Sequence, residues 1–294
     1  MDTRYLENFV AVVDAGSIAE AARQLDLAPT TLSQQLRALE SDLGVPLITR
    51  VGRTVKPTVA GSRILDQARS LVRGSLELRS SASNDSLPSG PLRLGATPTA
   101  LAGLLPPLMR AWTLAHPSVR IYVVPGTSST LLSRVMSGDL DAALLVHPLF
   151  ELPKTCAWYS IRDEPLVLLV PKRLRVDDPL LTAAREPFIQ YDREVVGGRL
   201  AADYLKSRGI RPKVQFELDG IEQISVLVSE GFGVSVLPDW PGRPDARVKR
   251  WPLPAPCPSR RVGMVWLRSS PRLPLAQALH SLVRAEHAHP PEGT

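Results

Sequence analysis

The chain has 294 residues, 44% of them hydrophobic and 22% charged. That is enough to bury a sizeable core and to divide into two or more domains, which excludes a disordered tail or a disulfide miniprotein. No stretch of eighteen apolar residues occurs, and Asp2, Arg4 and Glu7 stand where a signal peptide would place basic residues and then an apolar run, so a cytoplasmic address without a membrane partner is expected. Cys156 and Cys257 match no metal or redox spacing and read as inert thiols in a reducing compartment. The formal net charge is +6, yet up to Leu87 ten basic residues face ten acidic ones, so the excess of 25 over 19 lies downstream. Within the balanced N-terminal part, Arg50, Arg53, Lys56 and Arg63 form a run without an intervening acid.

In chain order, Leu6, Phe9, Val10 and Val13 fall at helical spacing, and Gly16 ends that helix. Ser17 and Glu20 form a capping box ahead of Ile18, Ala21, Ala22 and Leu25. Pro29 suits the first position of a third helix, because the N–H it lacks has no partner there. That helix is expected to run to about Leu43 on an apolar stripe of Leu32, Leu36, Leu39 and Leu43. Pro29, Thr30, Thr31, Ser33, Gln34, Gln35 and Arg37 are then left for the outside. Hydroxyls, amides and one arginine on a short helix after a tight turn suit a DNA major groove; the same pattern also serves a solvated face of any three-helix bundle.

Residues 45–58 read as a wing, a ribbon turning about Val51 and Gly52, with Arg50, Arg53 and Lys56 as phosphate contacts or as solvated loop charges. A long helix follows from Thr58 to about Arg79. On it Ile64, Ala68, Leu71, Ser75 and Leu78 alternate spacings of four and three, a seam for a partner helix or for the helix's own module. Residues 80–90, SSASNDSLPSG, read as a linker.

Downstream, strands 92–96, 119–124 and 141–146 alternate with helices 101–115 and 129–136, the order of a parallel α/β sheet. Strands 166–170, 188–190, 213–218 and 233–237, with helices 198–207 and 221–229, continue it, while residues 240–258 are Pro-rich and uninformative. Thr97, Pro98 and Thr99, and then Thr127, Ser128 and Ser129, follow the first two strands; they either cap helices or line an anion-tolerant pocket. Arg162, Arg193 and Arg199 are candidates for an anion's partner or for solvated charges.

The segments GSIAEAARQL, LSQQLRALESDLGVPLITR and PTVAG resemble the winged helix-turn-helix of LysR-type transcriptional regulators, with Ala21, Ala22, Leu25, Leu32, Ser33, Leu39, Glu40, Gly44 and Gly61 at matching positions. Ile48, Pro57, Ala28, Pro29 and Gln34 depart from the family's usual residues, which bears on the bases read and not on the fold. LLPPLMRAWTLAHPSV, MSGDLDAAL and LVSEGFGVSVLP are similar to the family's effector-binding domain, itself similar to periplasmic binding proteins.

The resemblance implies an all-α winged helix-turn-helix with a long linker helix, followed by a two-lobed α/β effector domain. The expected divisions are residues 1–58, 59–87 and 88–294, with lobe I at about 91–161 and 263–294, lobe II at about 162–262, and crossovers near Ile161 and Val262. It places Thr99 and Thr127 in the pocket, faced by Gln190, Tyr191 and Ile224 from the second lobe, with His147 either lining the cleft or capping it. It also implies double-stranded DNA, other copies of this chain as homodimer or homotetramer, and RNA polymerase as partners, no cofactor, and an unidentified small-molecule effector.

No G-x-S-x-G, P-loop, G-x-G-x-x-G or H-E-x-x-H is present, so an enzyme is not expected. His287 and His289 form an H-x-H in a tail read as disordered and not as metal-binding. A solute-binding protein would leave the first 87 residues unused; a nucleoid-type architectural protein would leave the second half unused, as would a repressor without a ligand.

Overall fold

The computed structural model describes residues 2–52, 54–82, 87–88, 90–241 and 245–288, and the chain divides into two compact units, Met1–Ser89 and Gly90–Thr294. In the first unit, helix α1 (Thr3–Ala15) ends at Gly16, whose φ of 62° is the left-handed cap glycine adopts without strain. Helix α2 (Ile18–Gln24) starts at Ser17, whose hydroxyl accepts from the Glu20 N–H at 3.4 Å. The Glu20 carboxylate pairs with Arg23, so the capping box is made on one side only. A tight turn through Asp26, at a φ of 54°, leads to α3 (Pro29–Leu43), which opens with Pro29 and closes at Gly44.

Leu6, Phe9, Val12, Ala21, Ala22, Leu32, Leu36, Leu39 and Leu47 close the core of this unit. Two stripe assignments shift. Val12 takes the fully buried place and leaves Val10 and Val13 at the margin, while Leu43 is 40% exposed because the chain reverses at Gly44 and the core continues through Leu47.

Strands β1 (Ile48–Val51) and β2 (Thr54–Pro57) pair antiparallel around Gly52, and the Val55 N–H donates to the Gly16 carbonyl at 2.8 Å, docking the ribbon on the α1–α2 turn. Thr58 then starts α4 (Val59–Ala82) by accepting from the Gly61 N–H at 3.0 Å. Gly61 has to be small, since a Cβ there would lie 2.1 Å from the Leu47 carbonyl oxygen. The expected seam on α4 divides: Ile64, Leu65, Ala68 and Val72 pack on the unit's own core, and Leu71 and Leu78 stay exposed.

The second unit runs β3 (Leu92–Ala96), α5 (Pro98–Gly103), α6 (Leu105–Ala115), β4 (Ile121–Pro125), α7 (Ser128–Met136), β5 (Ala142–Val146) and β6 (Cys156–Pro171). It continues α8 (Pro179–Arg185), β7 (Pro187–Tyr191), α9 (Val196–Ser207), β8 (Lys213–Leu218), α10 (Ile221–Ser229), β9 (Ser235–Pro238), β10 (Val248–Pro252), β11 (Ser259–Leu267) and α11 (Leu273–Ala288). The single helix expected at 101–115 is two, because Pro106 and Pro107 fill a new first turn after Leu104. The strand expected at 166–170 is the last third of a 16-residue strand. His287 falls in the last turn of α11 and not in a disordered tail, since Leu275, Ala276, Leu279 and Val283 bury one face of that helix; His289 lies outside the described residues.

The sheet order is β10-β6-β11-β5-β3-β4, with β9 also on β6. Strands β6 and β11 run antiparallel side by side through both lobes. Residues 156–160 pair with 263–267 beside β5, residues 162–165 pair with 259–262, and the end of β6 carries β9 and β10. The register slips between Val262 and Gly263, leaving Ile161 as the extra residue. The parallel pair β7–β8 completes the second lobe, joined to it by the Phe188–Val234 bridge.

Candidate nucleic-acid interface and ligand cleft

Successive side chains on α3 are turned by about 100°. Leu32, Leu36 and Leu39 therefore share the buried side, and Thr30, Gln34 and Arg37 stand on the opposite side, all exposed. Pro29 is exposed at the start of the helix, and Thr31 and Ser33 are half-buried on the flanks, the Ser33 hydroxyl donating back to the Pro29 carbonyl at 2.8 Å. Gln35 leaves the outward set. It lies beside the leucine stripe, and its side-chain carbonyl accepts from Nδ2 of Asn8, a residue only 5% exposed on α1. Asn8 stands two positions after Leu6, so the apolar spacing of α1 carries no sign of this bond.

Arg50 and Lys56 are both exposed on the ribbon, but they do not form one patch. Arg50 lies opposite Val55 and Lys56 opposite Thr49, so the pleat puts them on opposite faces, with Arg50 on the side where Ile48 and Val55 meet the core. Arg53 lies outside the described residues. One carboxylate oxygen of Glu40 accepts from the N–H groups of Leu47 and Ile48 at 2.7 and 3.2 Å, tying the end of α3 to the start of the ribbon. Thr58 fixes the far end: its N–H donates to the Leu47 carbonyl at 2.9 Å and its hydroxyl to the Pro46 carbonyl at 2.7 Å. The orientation of the wing against α3 therefore rests on Glu40 and Thr58, of which the sequence pattern marks only Thr58, as the start of the long helix.

In the second unit, Thr127 caps α7 by accepting from the Thr130 N–H at 3.3 Å, and its hydroxyl also meets those of Ser129 and Thr130. Thr127 and Ser129 are exposed, whereas Ser128 turns toward β5 and accepts from the Val146 N–H at 3.1 Å. Thr97 behaves differently from Thr127. It is 6% exposed at the start of α5, makes no cap bond, and its hydroxyl oxygen is buried with no hydrogen-bond partner. Pro98 is exposed, and Thr99 is buried and accepts from the Arg260 guanidinium at 3.3 Å.

On the other lobe, Gln190 is buried and its amide donates to the Tyr191 carbonyl at 2.7 Å. Tyr191 is buried too; burial pushes its phenol up, and its interaction with Arg260 pulls the other way. Ile224 leaves the site, because it is fully buried in the lobe's own core with Leu169, Ile189 and Val228. His147 is half-buried, with its Nδ1 2.6 Å from the Pro148 carbonyl oxygen and its ring edge-on to Trp158 at 4.7 Å.

The centre of this region is a pair absent from the expected set, joined by the expected candidate Arg162. Arg260 on β11 and Glu164 on β6 are register partners, both side chains at most 3% exposed, with Arg260 Nε 2.6 Å from Glu164 Oε2. Arg162 Nε is 3.3 Å from Glu164 Oε1, and another nitrogen of Arg162 donates to the Asp239 carbonyl at 3.1 Å. Arg193 and Arg199 are exposed. Thr99 of the first lobe and Tyr191 of the second thus meet on one guanidinium carried by the crossover strands. The signal that finds Arg260 is the β6–β11 register, which brings together residues 96 positions apart.

Among the described residues, no group of three or more His, Cys, Asp or Glu is placed to hold a metal ion, and no helix is long and apolar enough to cross a membrane. Residues 3–62 match the family model described as a bacterial regulatory helix-turn-helix protein of the lysR family, and residues 85–288 match the LysR substrate binding domain. The chain is 31% identical to a probable hydrogen peroxide-inducible genes activator of Mycobacterium leprae, covering 96% of this chain and 94% of that one. It is 30% identical to the transcriptional activator IlvY of Salmonella typhimurium, covering 81% and 83%. A probable transcriptional regulator from Pseudomonas aeruginosa shares the fold at a TM-score of 0.76 and 21% identity, covering 96% of each chain. An exposed polar stripe on a leucine-anchored helix, a hairpin wing and a two-lobed domain threaded by two antiparallel strands therefore have one common description: the chain belongs to the LysR family of DNA-binding transcriptional regulators, which pair a helix-turn-helix domain with an effector-binding domain.

Proposed function

We propose that this regulator reads a duplex with Thr30, Gln34 and Arg37, flanked by Pro29, Thr31 and Ser33, while Arg50, Arg53 and Lys56 neutralise phosphates on either side of the wing. The observation that carries this reading is the α3 stripe: three exposed side chains with base-reading chemistry stand opposite three fully anchored leucines. Residues 1–58 form the DNA-binding domain, 59–87 the linker and dimerisation helix, and 88–294 the effector domain. Lobe I is drawn from about 91–161 and 263–294, and lobe II from about 162–262. Exposed Leu71 and Leu78 favour self-association through α4, as a homodimer or a pair of dimers.

A small-molecule effector occupies the cleft at Thr97, Thr99, Thr127, Ser129, Gln190 and Tyr191 and shifts which quaternary arrangement binds DNA. No metal or cofactor and no catalysis enter this scheme. The protein works in the cytoplasm, where DNA and RNA polymerase are its partners.

Titrating the full chain with its promoter fragment and with an unrelated duplex over a range of salt tests the DNA half. Gln34→Ala should relax preference at particular bases, and Arg50→Ala should weaken all duplexes alike and reduce the salt slope by about 1. Equal affinity for both duplexes at every salt concentration would overturn it.

A further inference from the structure

We infer that one flank of α3, formed by Thr31 and Gln35, receives a single phosphate of the DNA backbone, and that Asn8 on α1 is the positioning residue that gives this flank its polarity. The inference rests on the DNA reading above and adds to it a contact of one chemical class. Residues four apart on a helix stand one above the other, so Thr31 and Gln35 share a side. That side lies roughly a quarter to a third of a turn away from the stripe of Thr30, Gln34 and Arg37, and both residues are half-buried. A duplex that offers base edges to the stripe brings its backbone to the flank.

Asn8 is only 5% exposed, and a buried amide is costly unless it is hydrogen-bonded. An apolar residue beside Phe9 would avoid that cost; what the amide adds is a fixed direction at Gln35. Asn8 Nδ2 donates to Gln35 Oε1, so the carbonyl end of Gln35 is held from inside the protein. Among the described residues, Gln35 Nε2 and the Thr31 hydroxyl have no hydrogen-bond partner and stay open to solvent, whereas the Ser33 hydroxyl is engaged by the Pro29 carbonyl. Glutamine reads adenine with both ends of its amide at once. With its acceptor end held by Asn8, Gln35 keeps only N–H donors, and together with the Thr31 hydroxyl it suits a group that only accepts. A backbone phosphate is such a group. The acid on the same side of α3, Asp42, stands seven residues beyond Gln35, about 10 Å along the axis, and leaves room for it.

The test uses the full chain and duplexes that it selects from a random library. Folding of each variant is checked by far-UV circular dichroism, since all five tryptophans lie in the second unit. Gln35→Leu should weaken every selected duplex about tenfold, while the selected bases and the salt slope stay as they were, because a neutral donor is lost and no cation. Gln35→Glu keeps one oxygen for Asn8 and turns the other outward. It should weaken binding about a hundredfold, and a methylphosphonate that neutralises one phosphate should recover most of that loss, at one position per recognition helix. Asn8→Leu should lower affinity in the natural chain and leave it unchanged in a Gln35→Leu background, whereas a merely structural role would lower it equally in both. If Asn8→Leu fails to fold, the two Gln35 variants decide the matter. An unweakened Gln35→Leu protein, altered base selection by it, a Gln35→Glu protein that no single methylphosphonate relieves, or equal losses from Asn8→Leu in the two backgrounds overturns the proposal. A natural chain that selects no sequence overturns the DNA reading itself, and this contact with it.

Discussion

The outward stripe of α3 and the buried Arg260–Glu164 group of the second unit are both polar, but they are made from opposite materials. Thr30, Gln34 and Arg37 come from two turns of one helix, are solvated, and place no demand on the core behind them. Thr99, Glu164, Tyr191 and Arg260 come from the start of α5, from β6, from the end of β7 and from β11, and all four are buried. Water satisfies the first set; only the protein satisfies the second. The outward stripe of α3 can therefore vary at little cost to folding, whereas each change in the buried group alters whether the lobes hold together. Variants sharpen this contrast when ordered by how far a polar group has been taken from water.

Arg260→Met should have the largest effect. It removes the cation from a buried pair and leaves Glu164 dehydrated, with only the partly exposed Arg162 beside it, at a cost of about 3–5 kcal/mol to the second unit. Urea unfolding followed by tryptophan fluorescence reads that unit alone. Adding Glu164→Gln to Arg260→Met should recover most of the loss, since the orphaned charge and not the missing attraction carries the penalty. A double variant no better than the single one would mean that Arg260 stabilises through its Thr99 and Tyr191 contacts, and the cleft would then be closer in kind to a solvated face.

The same contrast sets what was legible in the sequence. The DNA-binding unit is written in short spacings: Gly16, Ser17 and Pro29 each mark a helix end within a few residues of the stripe they bound. The inward turn of Gln35 was not legible, because its partner Asn8 is 27 residues away on another helix. Nor was the separation of Arg50 from Lys56, which follows from the ribbon register and not from their closeness in the chain. In the second unit, strands with an unbroken apolar run such as 142–146 were recognisable, but the first half of β6, CAWYSIRDEP, carries three charges and shows its strand character only beside β11. Thr99 and Tyr191 both interact with Arg260, and the residue that joins them could not be read from any local pattern.

Glu40 tests the middle of the range. It is the cleft-like residue of the DNA-binding unit: a part-buried carboxylate receiving two backbone N–H groups seven and eight positions on. Glu40→Ala should cost about 1.5–3 kcal/mol, because charge-assisted bonds are lost and two N–H groups at the base of the wing are left without their acceptor. Far-UV circular dichroism of the full chain should show an earlier helical transition while the tryptophan transition of the second unit stays in place. DNA affinity should fall for all duplexes alike, since the wing loses its setting while the α3 stripe keeps its side chains. An unchanged helical transition would show that solvent replaces the carboxylate freely.

Ser17→Ala lies at the small end. The hydroxyl accepts from an N–H three residues on, at 3.4 Å, and the return bond from Glu20 is absent because that carboxylate is engaged by Arg23. A full capping box would satisfy two orphan N–H groups, and this half-box satisfies one, so the loss should be about 1 kcal/mol or less, read as faster exchange of the first α2 amides. Breaking the Arg23 pairing in the same protein gives the sharper comparison. Arg23→Ala should free Glu20 to complete the box, so that removing Ser17 costs more in the Arg23→Ala background than in the natural one. Equal costs in the two backgrounds would show that the surface ion pair does not hold Glu20, in keeping with how little such solvated pairs contribute.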